Sequence, residues 1–179
     1  MEGGGRSVLS ADDLTLGGLT VPALPDEAQA ELRQFTLLAG TSVRNPVDTS
    51  ATWIGGDKAA DLLAETIRVV ASAPNIDFIL SYEGLQWGPP APGTSPDTRV
   101  RRMEEILNTV VERSASLAKP IVFALRPTFA PEAVQATLRF QQTCYHHGMA
   151  VFPDIGRAAV ALSKLFRWQE SHREQTASP

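Results

Sequence analysis

The chain has 179 residues, 43% hydrophobic and 20% charged, with 16 basic against 20 acidic side chains and a net charge of −4. That is one soluble domain or a tight pair, long enough to bury about 70% of its unfolded surface without staples. The acidic balance excludes a general nucleic-acid or membrane-surface binder, and the single Cys144 excludes a disulfide framework or a cysteine-based metal cluster and fits a reducing compartment. No run approaches ~18 consecutive apolar residues, and Met1 to Gly5 lacks a basic-then-apolar signal pattern. A cytoplasmic protein with no membrane and no nucleic-acid partner is the expectation.

In chain order, Ser7 to Leu16 predicts a helix, with Ser10 or Asp12 as candidate caps. Leu19-Thr20-Val21 is a candidate strand and Asp26 to Leu38 is helix-like. Ser42 to Asp48 is extended or turn, because Pro46 keeps Asn45 out of the helical region. Asp57 to Ser72 places Ala59, Leu62, Leu63, Ile67 and Val70 on one helical face. Ile76 to Leu80 is a short β-rich run, and Trp87 to Pro96, with its prolines and glycines, is a surface loop. A helix over Asp97 to Leu117 carries the stripe Val100, Met103, Ile106, Leu107, Val110 and Val111, and Lys119-Pro120 stops it.

Ile121 to Leu125 is the next strand. Pro131 suits the first turn of a helix that Gly148 ends. Met149 to Phe152 is a third strand. Gly156 to Trp168 is a final helix carrying Ala159, Leu162, Leu165 and Phe166, and the polar Ser171 to Pro179 is expected to fray. Strands joined by crossovers this long indicate a parallel sheet covered on both faces. Such a sheet usually begins with a strand feeding a glycine turn into the first helix. The residues before Arg6 supply no such strand, so either the chain starts just after it or a partner segment fills the slot.

Gly3-Gly4-Gly5-Arg6-Ser7 opening a helix could seat a phosphate, because glycines let the backbone approach an anion and the helix start is positive. It is not a Walker A loop, which needs Lys before the Ser, and a flexible terminus is the plain alternative. Asn45 and Asp48 flank a proline-fixed turn as corner residues or ligand contacts. Glu83 and Arg126 follow strands at the carboxyl end of the sheet, where open α/β sheets bind ligands. His146, His147 and His172 read as surface or cap residues, Trp53 and Trp87 as loop residues that could mark an interface, and Cys144 as packed and inert. A response-regulator receiver is excluded because Asp77 and Lys119 sit at the wrong end of the sheet, and a flavodoxin because no Ser/Thr-rich phosphate loop is present.

The blocks GGGRSVLSADDL, GLTVPALPDEAQAELRQF, SVRNPVD, NIDFIL, KPIVFAL and HGMAVFPDIGRAAVALSKLFRW follow one another from Gly3 to Trp168. In order and spacing they resemble the flavodoxin-like ligase domain in the α-type half of the NDP-forming acyl-CoA synthetases, relatives of succinyl-CoA ligase. The chain departs from that pattern at Ile155-Gly156, where Pro-Glu is usual, and in the segment after Asp48.

The resemblance implies an α/β, three-layer flavodoxin-like domain over residues 3–168 with a mostly parallel sheet of about four or five strands, and a polar tail over 169–179. It further implies that Gly3, Gly4 and Gly5 precede one of two facing helices whose positive ends stabilise a phosphohistidine. Acid, CoA and ATP then give acyl-CoA, ADP and phosphate. The histidine lies in another domain, and no histidine here matches it. On this reading the domain binds no cofactor alone; CoA, ATP/ADP and Mg belong to the complete enzyme, whose other domains or subunits are the expected partners. Alone it is expected to show no turnover. The alternative is a non-catalytic interaction or ligand-sensing module on the same scaffold, with a possible homodimer.

Overall fold

The computed structural model describes residues 5–36, 41–49, 56–85 and 95–177. In chain order these form α1 (Gly5–Leu16), α2 (Asp26–Arg33), a 3₁₀ turn (Gly56–Lys58), α3 (Ala59–Ser72) and β1 (Ile79–Glu83). There follow α4 (Pro96–Ser114), β2 (Ile121–Leu125), α5 (Pro131–His146), β3 (Ala150–Phe152) and α6 (Ile155–Ala177). The strands lie in the order β1-β2-β3, all parallel, with Ile79 opposite Ile121 and Val122 opposite Ala150. The expected three-layer, parallel α/β architecture is therefore present. Three of the expected four or five strands lie among the described residues.

The alternation of side chains along β2 builds the two outer layers. Ile121, Phe123 and Leu125 enter one core with the buried faces of α2, α3, α4 and α5. Val122 faces the opposite way, into a smaller cluster with Ala158 and Leu162 of α6, against which Leu19, Phe78, Leu80, Phe152 and Phe166 pack. The Phe78 and Phe166 rings, 5.3 Å apart, fasten α6 to the residue that leads into β1. Every residue of β2 is buried, as a central parallel strand requires. No helix among the described residues is long and apolar enough to cross a membrane.

Local chemistry sets the helix boundaries. All six residues of the predicted α4 stripe are buried. Ser95 caps that helix by accepting a hydrogen bond from the Thr98 amide at 3.2 Å, ahead of Pro96. Replacing Ser95 with alanine is expected to cost about 1 kcal/mol of stability in chemical denaturation, because it orphans that amide. α5 starts at Pro131, and past its end Gly148 takes φ +70, a conformation glycine adopts without a Cβ penalty.

Several local expectations are corrected. α1 begins at Gly5, so Ser10 and Asp12 lie inside the helix and do not cap it. Leu19-Thr20-Val21 forms no strand; it follows a turn at Gly18, φ +88, that brings the Leu19 amide back to the Leu14 carbonyl at 3.0 Å. α2 stops at Arg33, and residues 37–40 lie outside the described ones. Trp53 and Trp87 also lie outside the described residues. β1 starts at Ile79, three residues later than the apolar run. The polar tail does not fray into coil: α6 continues through Ala177.

Candidate functional site

Gly3 and Gly4 of the glycine loop lie outside the described residues. Gly5, Arg6 and Ser7 form the first turn of α1, which contains no acidic residue. A helix start carries partial positive charge, and no carboxylate belongs to this first turn. The start of α6 differs. Asp154 accepts a hydrogen bond from the Arg157 amide at 2.7 Å, and its carboxylate also lies 3.5 Å from the Arg157 guanidinium. A carboxylate thus occupies that helix end.

Ser7 and Ser10 of α1 line a cavity of about 140 Å³. Its other walls are the Asn45–Val47 corner, Thr66, Ile67 and Val70 of α3, Ile79 to Tyr82 of β1, and Ile155 at the start of α6. α1 thus faces β1, the residues Ile76 and Phe78 that lead into it, and Ile155 at the start of α6 across this cavity. In an open parallel sheet ligands bind at the carboxyl ends of the strands, the end at which α6 starts after β3. Among the described residues no charged side chain lines this cavity.

Asn45 also reaches the cavity, but its side chain serves the corner. Its Nδ2 donates to the Pro22 carbonyl at 2.9 Å, and its own φ is +126, an angle asparagine tolerates better than most residues. The Asn45–Pro46 peptide is cis. Asp48 is elsewhere: its backbone pairs with Ser42 in both directions, at 2.9 and 2.7 Å, and the residue is 1% exposed. Asn45 braces the corner through its side chain, and Asp48 is held there by its backbone.

Glu83 and Arg126 are brought together at the ends of β1 and β2, where the Arg126 amide donates to the Glu83 carbonyl at 2.8 Å. Both are buried, and neither lines the cavity. The Ser81 hydroxyl donates to Glu83 Oε1 at 2.8 Å. Burial lowers the pKa of the Arg126 guanidinium by desolvation. The pair thus forms a polar floor at the carboxyl edge of the sheet, distinct from the cavity around β1.

The remaining candidates have structural surroundings. His146 ends α5 and His147 is its C-cap, positions that suit a positive charge. His172 stacks on Trp168 with ring centres 4.2 Å apart. Cys144 is fully buried, and desolvation pushes its thiol up to about 12 from the usual 9.0, which makes it unreactive at neutral pH. Sequence reasoning missed Ser10, Thr66, Ser81 and Tyr82 as cavity walls, because none belongs to a motif and only the fold assembles them.

No protein-family model matches the sequence, and none of the curated proteins matches it. Among solved structures the fold is similar to that of PH0766 from Pyrococcus horikoshii OT3, with a TM-score of 0.64 and 21% sequence identity. The match covers 89% of this chain and 32% of that one, so this chain spans about a third of the protein whose fold it shares.

Proposed function

We propose that this chain is the flavodoxin-like ligase domain of an NDP-forming acyl-CoA synthetase. In that reaction acid, CoA and ATP give acyl-CoA, ADP and phosphate, with a phosphohistidine carried by another domain. The observation that carries the reading is that the first turn of α1, which holds no carboxylate, contributes Ser7 to a cavity it shares with Ser81 and Tyr82 of β1 and Ile155 at the start of α6. A doubly negative phosphoryl group held there would face the backbone amides of the first turn, the Ser7 hydroxyl and the positive end of the helix. Such placement is worth roughly 0.3–2 kcal/mol. Glycine at positions 3 to 5 would let the phosphoryl group come close to the backbone, with Arg6 as a further donor. The order of the sequence blocks and the likeness in fold to a segment of a chain about three times as long support the same reading.

CoA, ATP/ADP and Mg would be bound by the complete enzyme, and this domain alone would turn nothing over. The test is to mix the chain with a synthetase from which the corresponding domain has been deleted and to follow acid-dependent thioester formation. Restored activity is expected, lowered by up to about thirtyfold when Arg6→Ala or Gly4→Val is used, the equivalent of 2 kcal/mol at a helix terminus. Absence of any rescue by a folded chain counts against the proposal. A non-catalytic module is the second reading, favoured by the cavity beside α1, which no charged side chain of the described residues lines. Partner binding without phosphate binding in calorimetric titration would support that reading instead.

A further inference from the structure

We propose that the outer face of α5 is a dimer seam, which pairs with the same face of a second copy of this chain in antiparallel order. Pro131, Leu138 and Tyr145 recur every seven residues along α5, with Val134 and Gln141 three residues after the first two. That is the spacing of a seam between two helices. It is separate from the stripe Ala133, Ala136, Phe140 and Cys144, which α5 buries in the core of its own chain. Val134 is 37% exposed, Leu138 49% and Tyr145 60%, and Phe129, 94% exposed, extends the apolar surface past the start of the helix. Single exposed apolar side chains are ordinary, whereas a contiguous row of them marks an interaction surface.

The distribution of charge selects a second copy as the occupant. The five seam residues are uncharged. Arg139, on the flank of the seam, is neutralised within its own chain: Nε and Nη2 donate to the two carboxylate oxygens of Glu104 on α4, each at 2.7 Å. The two ends of the seam differ. Glu132 lies in the first turn of α5, His146 in the last turn and His147 at the C-cap, and all three are exposed.

Reversed and laid on itself, the seam sets Val134 against the partner's Tyr145 and Leu138 against the partner's Gln141. The same reversal brings each Glu132 within a turn of the partner's His146 and His147, whose ring N–H groups can donate to a carboxylate. It also opposes the two helix dipoles. A parallel copy would instead set Glu132 beside Glu132, a like-charge contact. A seam one helix wide is small, so the dimer is a weak and reversible one. α5 belongs to the layer opposite α6, so the seam does not rest on phosphate chemistry at α1.

The first test is sedimentation equilibrium of the full chain, which is expected to show a monomer–dimer equilibrium in the micromolar range. Leu138→Glu is expected to weaken the dimer by about tenfold or more, because it places a charge in the middle of the seam twice. Leu165→Glu, at a residue of α6 that is 46% exposed, is expected to leave it unchanged. Circular dichroism checks that both variants stay folded.

The second test reads the order of the helices. Chains carrying Val134→Cys are mixed with chains carrying Tyr145→Cys and a mass tag, and the mixture is oxidised by dissolved oxygen with a copper catalyst. Disulfides are expected mainly between the unlike chains. Cys144 does not compete, because it is fully buried. A monomer at every concentration would overturn the proposal. So would a dimer that Leu138→Glu leaves intact, equal weakening by Leu165→Glu, or disulfides formed mainly between like chains.

Discussion

Replacing Phe123 with alanine is expected to lower the free energy of unfolding by about 3–5 kcal/mol, the range for removing a buried phenyl ring from a packed core. The residue is the middle of the central strand and is 0% exposed. Its ring meets that of Phe140 on α5 edge to face, at 5.2 Å and 88°, a geometry that contributes beyond simple burial. The hole would open where β2, α4 and α5 converge, and a strand hydrogen-bonded on both sides has little freedom to collapse into it. Urea denaturation of Phe123→Ala beside Val134→Ala, whose side chain lies on the exposed side of α5, supplies the comparison. The second substitution is expected to stay within about 0.5 kcal/mol. Equal losses in the two variants would mean that β2 does not run through the centre of the fold.

The parts of this fold that were legible in the sequence are those whose pattern depends only on near neighbours. The α4 stripe repeats at helical spacing, and each of its residues is buried. Ile121 to Leu125 is a continuous apolar run because both faces of β2 are covered, and its limits match the strand residue for residue. β1 was legible in kind but not in position. Ile76 is as apolar as Ile79, yet its amide turns back to the Ala73 carbonyl, and pairing starts only where the Pro120 carbonyl can receive the Ile79 amide.

Leu19-Thr20-Val21 has strand-forming residues but no described strand beside it, and Gly18 turns the chain there. The site was legible only in fragments. Ser7 and Asn45 reach the cavity as candidate residues, but Thr66, Ser81 and Ile155 join them through long-range packing that no local spacing encodes. Asp48, singled out for its side chain, is placed by its backbone bridge to Ser42.

Gly17→Ala is the smallest change expected to disturb the proposed anion seat without touching it. Gly17 follows α1, and a Cβ built there would lie 2.6 Å from the Ala159 Cβ and 3.2 Å from the Ala159 carbonyl carbon on α6. Ala159 is itself fully buried and packed in the interior of α6, so the contact can be relieved only by moving α1 away. Overpacking of this kind costs about 1–3 kcal/mol. The displacement would also shift Ser7, Ser10 and Leu14, which form the α1 wall of the cavity.

Lower stability and weaker rescue of a domain-deleted synthetase are therefore expected together. Ala159→Gly in the same chain removes the opposing methyl group. On its own it costs about 1 kcal/mol as a glycine in a helix interior, but combined with Gly17→Ala it should return part of the lost stability. A double-mutant cycle measured by denaturation reads this coupling directly. Strictly additive losses would show that α1 and α6 do not meet at these two residues. The α1 wall of the cavity would then need another support.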